Sequence, residues 1–255
     1  MLKEKGILFD ETLCVGCGSC YHACKEKNNL PKTNTDFLKD HLSDNTYTVV
    51  EQYENMFVRK LCLHCNEPSC VSTCLVGALQ KQSTGAVLYD GDKCIGCRYC
   101  MQACPHKIPR YEWSKTQPRV RKCTLCNDRI SAGKITACAE ACPTEATLFG
   151  DIAKLKSIAQ KRLNEHPKKY FQKIYGLDEA GGSHVLIIAS VPFERLGLLT
   201  NLPKIPMPEL TNRAMEKIPT VVSIGGIFLS GMYWLTKRKN EITHEKNTIE
   251  GTTTK

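Results

Sequence analysis

Sixteen cysteines in a chain of 255 residues restrict its fold more than any other feature, because they come in four groups of four with none left over. The first group is Cys14-x2-Cys17-x2-Cys20-x3-Cys24, and the second is Cys62-x2-Cys65-x4-Cys70-x3-Cys74. The third, Cys94-x2-Cys97-x2-Cys100-x3-Cys104, runs straight into Pro105. The fourth is Cys123-x2-Cys126-x11-Cys138-x3-Cys142, again followed by a proline, Pro143.

The third group matches the bacterial two-cluster run C-x2-C-x2-C-x3-C-P residue for residue. A C-x2-C-x2-C loop wraps three thiolates around one [4Fe–4S] cubane. The fourth cysteine is expected to start a helix-like turn that carries its sulfur to a neighbouring cluster, so that two motifs exchange their last ligands. Proline after that cysteine fixes φ and suits the start of a helix but not its interior. At four thiolates per cubane, the chain has ligands for four [4Fe–4S] clusters.

Other uses of cysteine explain less. Cysteine makes up about 6% of the chain, below the ~8–10% of disulfide scaffolds, and disulfides leave the ferredoxin spacing unexplained. Zinc is a better rival at the fourth group, since C-x2-C-x11-C-x3-C resembles two knuckles of a zinc ribbon. It does not account for the first and third groups, where four cysteines lie within eleven residues. A radical-SAM site needs a lone C-x3-C-x2-C triplet, and none occurs.

The formal charge of +9 points the same way. Each oxidised cubane with four thiolates carries roughly two negative charges, so four contribute about −8 and nearly cancel it. A basic chain otherwise invites a nucleic-acid reading, but there is no basic stripe with interleaved aromatics, and aromatics are 7% of residues. Lys25, Lys27, Lys60, Arg121 and Lys122 stand beside cluster cysteines, where positive charge favours the reduced state; for several of them, simple solvation is an equal reading.

The pattern predicts an α+β fold of two interleaved bacterial-ferredoxin-like two-cluster modules, followed by one C-terminal transmembrane helix. Groups two and three form an inserted module over residues 61–105, with Gly77–Lys93 as a small hairpin around Thr84-Gly85. Groups one and four pair across it in an outer module, residues 1–60 and 106–190. Gly6–Asp10, Ala146–Phe149, Thr46–Val50 and Met56–Val58 read as strands, as does His184–Ser190. Apolar residues at Ile152, Leu155, Ile158, Ala159 and Leu163 make Asp151–Leu163 an amphipathic packing helix. Residues 191–218, with Pro192, Pro203, Pro206 and Pro208, are expected to run extended as a linker.

Residues 219–236 contain no charge. Eighteen helical residues span about 27 Å, near the ~30 Å hydrocarbon thickness. Tyr233 and Trp234 sit at one end as interfacial aromatics, and Gly226 and Ser230, with Ser223, offer a face for close helix approach. The triplet Lys237-Arg238-Lys239, with Lys246 in the polar tail 237–255, favours a cytoplasmic C-terminus and a cluster domain on the periplasmic side of the inner membrane. The start Met-Leu-Lys-Glu-Lys has no apolar h-region and no twin arginine, so export is expected in company with a signal-bearing partner.

No histidine falls within 219–236, so this helix supplies no imidazole to a haem. The seven histidines (His22, His41, His64, His106, His166, His184 and His244) show no paired spacing. His22, His64 and His106 lie near clusters and could tune them, though packing or solvation is the plainer role. No phosphate loop, nucleophile elbow or carboxylate pair points to substrate chemistry, so catalytic residues are not expected.

The segments CVGCGSCYHAC, KLCLHCNEPSCVSTC, CIGCRYCMQACPHKIPRYEW and RKCTLCNDRISAGKITACAEACPTEA resemble the four-cluster subunits of respiratory molybdenum or tungsten oxidoreductases and membrane-bound hydrogenases. With GGSHVLIIAS and a single C-terminal span, the chain is similar to the iron–sulfur (beta) subunits of formate dehydrogenase and hydrogenase-2 in particular. The resemblance implies that Cys14, Cys17 and Cys20 share a cluster with Cys142, and Cys123, Cys126 and Cys138 one with Cys24. It likewise implies that Cys62, Cys65 and Cys70 take Cys104, while Cys94, Cys97 and Cys100 take Cys74. Lys25 and Leu75 follow Cys24 and Cys74 where many relatives have proline, which predicts altered turns there. The implied role is non-catalytic: electrons pass between a catalytic subunit (a molybdenum/tungsten oxidoreductase or NiFe hydrogenase) and a polytopic quinone-reactive or cytochrome b subunit in the lipid bilayer. The alternatives are a cytoplasm-facing, membrane-anchored polyferredoxin serving a soluble enzyme, and a zinc-bearing structural or nucleic-acid protein.

Overall fold

A continuous apolar run in Lys5–Asp10 forms strand β1, seen in a computed structural model that describes residues 4–32 and 36–252, the last ten without their side chains. Expectations that fall on residues 1–3, His244, Lys246 and residues 253–255 lie outside the described residues or side chains. After β1 come α1 (Ser19–Lys27), β2 (Thr48–Tyr53), β3 (Met56–Leu61), α2 (Ser69–Ser72), β4 (Leu79–Lys81) and β5 (Val87–Tyr89). Then follow α3 (Tyr99–Ala103), β6 (Arg110–Tyr111), β7 (Val120–Arg121), α4 (Asn127–Ser131), α5 (Ala137–Glu140) and β8 (Thr147–Asp151). The chain ends with α6 (Ile152–Glu165), β9 (Val185–Ile188) and α7 (Met207–Thr252).

Strands far apart in sequence meet in one sheet of order β8-β1-β9. Strand β1 runs antiparallel to β8, with Ile7 opposite Phe149, and parallel to β9, with Phe9 opposite Ile187. Both faces of β1 and β9 are covered, which is why their sequences read as unbroken apolar runs. Side chains alternate between the faces. Leu8, Leu186 and Ile188 meet Leu155, Ala159 and Leu163 of α6. Ile7, Phe9, Val185 and Ile187 face the other way and share a core with Cys24, Cys123 and Cys138. Each such fully buried aliphatic side chain contributes roughly 1.5–3 kcal/mol. The sheet is therefore a partition between an ordinary helix-packed core and the cysteine sites.

Three hairpins, β2–β3, β4–β5 and β6–β7, complete the fold, the first two where the β-branched runs and Thr84-Gly85 predict them. Leu79, Val87 and Val120 from the second and third hairpins pack with Cys70 and Cys100 in a core of their own. Helix α6 lies where its periodicity predicts, although Ile158 stays 37% exposed beside the buried stripe.

Two expectations need correction, and one is refined. Cys104 caps the end of α3 and its carbonyl accepts from Lys107 N at 3.1 Å, so the fourth cysteine opens a single turn with Pro105 at its second place rather than a new helix. Cys74 and Cys142 open turns in the same way. Where Lys25 replaces that proline, α1 runs on to Lys27, the altered turn that the substitution predicts. The linker 191–218 is not extended throughout. Phe193–Leu196 forms a 3-10 turn whose Phe193 and Leu196 are wholly buried against Phe171 and Tyr175, since two large apolar side chains gain more in the core than on a surface.

The apolar helix does not begin at Pro219 or end at Thr236. Helix α7 starts at Met207, with Pro208 in the first turn where a missing N–H costs nothing, and continues through Pro219. Strong helix formers and the Glu209–Arg213 ion pair, one turn apart at 2.5 Å, carry it across that proline. The predicted polar tail is helical as far as Thr252. Residues Met1–Pro208 form one compact unit that contains all sixteen cysteines, and Glu209–Lys255 form a second. Met207–Ile242, nearly all of it in the second unit, is long and apolar enough to cross a bilayer, with a mean hydropathy of 1.5 in its most apolar window. Ile224, Ile227, Phe228, Leu229 and Leu235 are exposed along it, which fits a single-pass membrane anchor.

Candidate functional site

None of the sixteen cysteines is in a disulfide. In the first C-x2-C loop of each group the second intervening residue is left-handed: Gly16 (φ +66°), His64 (φ +50°), Gly96 (φ +71°) and Leu125 (φ +55°). Gly18 and Arg98, which follow Cys17 and Cys97, are left-handed too. Such turns aim successive backbone N–H groups into one concavity, a nest for anions that is common at Fe–S sites. The N–H groups of Gly96, Leu125 and Ala78 accordingly donate to the sulfurs of Cys94, Cys123 and Cys74 at 3.4, 3.3 and 3.2 Å. Glycine is favoured at two of these corners, because a Cβ on Gly16 would stand 2.5 Å from the Phe57 ring and one on Gly96 2.8 Å from Tyr111 Oη, so that the ring or hydroxyl would have to shift.

Cysteines from different groups meet. One cavity is walled by Cys123, Cys126 and Cys138 together with Cys24, and another by Cys94, Cys97 and Cys100 together with Cys74. Cys142 lies within electrostatic reach of Cys14 and Cys20, and Cys104 within reach of Cys65 and Cys70. Between these sets, Cys20 lies within electrostatic reach of Cys138, Cys123 of Cys62, and Cys70 of Cys100. Cys17 and Cys97 are the exposed members; six others are buried.

The donor set suits a cubane better than a single ion. Burial, reinforced by neighbouring thiolates, pushes the thiols of Cys14 and Cys100 up to about 11 and those of Cys24 and Cys70 to about 12. Four such thiols ionise together only around strong positive charge, which ligated metal supplies. Among the described residues, no three His, Cys, Asp or Glu side chains converge as ligands of one ion do. Sulfurs bound to one tetrahedral zinc at about 2.3 Å crowd within roughly 4 Å of each other, whereas four irons of a cubane spread their ligands wider.

The family profile of the 4Fe-4S dicluster domain matches residues 53–152. A Nitratidesulfovibrio vulgaris protein is 39% identical over 255 aligned residues, covering 94% of this chain and 69% of its own length. The hydrogenase-2 operon protein HybA of Escherichia coli is 37% identical over 237 residues, covering 76% of this chain and 72% of HybA. The formate dehydrogenase-O iron–sulfur subunit of Escherichia coli is 36% identical over 202 residues, with 73% and 67% covered. The chain belongs to the formate dehydrogenase and hydrogenase-2 type of iron–sulfur subunits.

In this iron–sulfur subunit the cations beside the cysteines divide into two kinds. Lys27 pairs with Asp128 at 2.7 Å, Lys60 with Glu51 at 2.6 Å and Arg121 with Glu112 at 2.8 Å, and Lys25 lies 3.6 Å from Asp40. Lys122 is buried and donates to the carbonyls of Val87 and Cys123, close to Cys70. Sequence reasoning missed a further buried cation, Arg59, whose environment includes Cys20, Cys123 and Cys138. The available signal was an arginine in a β-branched hairpin three residues before a cluster cysteine. Of the histidines near cysteine groups, His64 Nδ1 accepts from Val87 N at 2.9 Å, His22 stacks edge-on with Tyr21 and Phe37, and His106 stacks edge-on with Tyr175.

Proposed function

We propose that this iron–sulfur subunit carries four [4Fe–4S] clusters and relays electrons between a catalytic oxidoreductase subunit, of formate dehydrogenase, hydrogenase or related type, and a quinone- or haem-bearing integral membrane subunit. Cys14, Cys17 and Cys20 hold one cluster with Cys142, and Cys123, Cys126 and Cys138 hold another with Cys24. Cys62, Cys65 and Cys70 are completed by Cys104, and Cys94, Cys97 and Cys100 by Cys74. The observation that carries this reading is the exchange of last cysteines in the cavity walls, Cys24 with the fourth group and Cys74 with the third.

Bound clusters supply one-electron carriage at potentials set by burial, charge and hydrogen bonds to sulfur. The chain supplies the buried thiols, the left-handed loops that aim N–H groups at them, and the cations. The approaches of Cys20 to Cys138, Cys123 to Cys62 and Cys70 to Cys100 support a wire in the order one, four, two, three. Exposed Cys17 and Cys97 then lie at its two ends. The same exchange supports two interleaved modules, 1–60 with 106–190 around 61–105. Likeness to relatives named as iron–sulfur subunits of formate dehydrogenase supports a carrier rather than an enzyme. Helix α7 anchors it once in the inner membrane, with Lys237-Arg238-Lys239 on the cytoplasmic side and the cluster domain on the periplasmic side.

Anaerobic purification with iron and acid-labile sulfide analysis, followed by redox-poised EPR, tests the reading. About sixteen irons per chain and four reducible centres are expected. Zinc, or iron for one or two clusters, would refute it. Protease protection of the cluster domain in spheroplasts would overturn the sidedness and favour a cytoplasm-facing carrier.

A further inference from the structure

We propose that Arg59 is a positioning cation shared by the first and fourth cysteine sites, holding both of their clusters at a raised reduction potential; this rests on the four-cluster reading. Arg59 is 1% exposed, the largest side chain buried to that degree. Its Nε donates to Thr48 Oγ1 at 2.9 Å and its Nη1 to Thr147 Oγ1 at 3.4 Å, and both threonines are themselves buried. These neutral acceptors from β2 and β8 orient the guanidinium without cancelling its charge. It helps to wall the cavity of Cys24, Cys123, Cys126 and Cys138, and it is close to Cys20 of the first group as well.

Among the described residues Arg59 forms no ion pair with a carboxylate. A buried charge left without a counter-charge is strongly destabilising. The sulfurs of Cys138, Cys20 and Cys123 lie around it, and those of Cys123 and Cys138 wall the same cavity as the guanidinium. An anionic cluster at each site therefore completes the pair, and the fixed positive charge in turn favours the added electron. Strand β3 places this cation between sites one and four and, three residues later, places Cys62 in site two.

The test is redox-poised EPR on the full chain in wild type, Arg59→Met and Arg59→Lys, with iron and sulfide measured on each. In Arg59→Met at full iron content, the reduced-to-oxidised ratio at fixed poise should fall about tenfold at two clusters, about 59 mV for a one-electron couple. The other two clusters should not move. Arg59→Lys should recover most of the shift, and the difference should persist at high salt, which does not screen a buried charge. Four unmoved potentials in Arg59→Met, or equal shifts in Met and Lys variants, would overturn the proposal. Should Arg59→Met fail to fold, Thr48→Val, which removes an acceptor and keeps the charge, should lower the same two potentials; no change there also overturns it. A wild-type chain short of iron is a separate result, which defeats the four-cluster reading itself.

Discussion

Lys27 at the end of α1 and Asp128 at the start of α4 form a 2.7 Å ion pair that ties the helix bearing Cys24 to the helix following Cys126. Half exposed, the pair contributes little by itself. Its value is geometric, because it holds the first cysteine group against the fourth across the intervening chain. The proposed exchange of ligands predicts that replacing each last cysteine damages a site belonging to the other group. In Cys142→Ser, EPR should show loss or conversion of the centre held by Cys14, Cys17 and Cys20, with that of Cys123, Cys126 and Cys138 retained. Cys24→Ser should give the reverse. Four intact centres in either variant would contradict the crossing.

The left-handed corners predict a graded response to alanine. Gly77 (φ +63°) has nothing within 4 Å of an added Cβ, so Gly77→Ala measures backbone strain alone, about 1–2 kcal/mol. Gly96→Ala adds the clash with Tyr111 Oη at 2.8 Å. Thermal denaturation should therefore rank Gly96→Ala below Gly77→Ala, with iron lost from Gly96→Ala alone. Equal melting temperatures would refute the close approach.

Leu155 fills the space between α6 and the outer face of the sheet, remote from the cysteines. Leu155→Ala should cost about 2–5 kcal/mol by chemical denaturation while leaving the EPR of the folded protein unchanged. Altered cluster spectra would mean that the sheet is not the partition between the two cores.

Much of this was legible in the sequence for a physical reason. Metal ligation leaves a spacing that nothing else requires, and strands buried on both faces, such as Gly6–Asp10 and Val185–Ile188, leave apolar runs. What escaped depended on partners distant in the chain. Arg59 looks like one more basic residue beside Lys60 until Thr48, Thr147 and the thiols of three other segments close around it. Pro219 reads as a helix start because proline is usually excluded from helix interiors, and only the helix-forming run Glu209–Lys217 shows otherwise. Phe193 and Leu196 read as linker because their contacts lie in Phe171 and Tyr175.

Glu112 predicts an acid dependence of the β6–β7 hairpin. Burial works against its charge, but Lys115 Nζ at 2.7 Å, Arg121 Nε at 2.8 Å and Arg119 N at 3.1 Å hold its pKa below the ordinary 4.5. A depressed carboxylate stabilises the fold at pH values above its unfolded pKa, and that share is lost as pH falls through the lower folded value. Wild type should therefore melt above Glu112→Gln at pH 7, and the gap should close as the pH is lowered below about 4.3. A gap independent of pH would contradict the assignment.

The central claim is that four thiolate quartets, completed by exchanged cysteines, each hold an iron–sulfur cubane. Iron and acid-labile sulfide counted per polypeptide on anaerobically purified full-length chain test it most directly. The account predicts about sixteen of each. Colourless protein holding zinc, or far fewer irons, would contradict it.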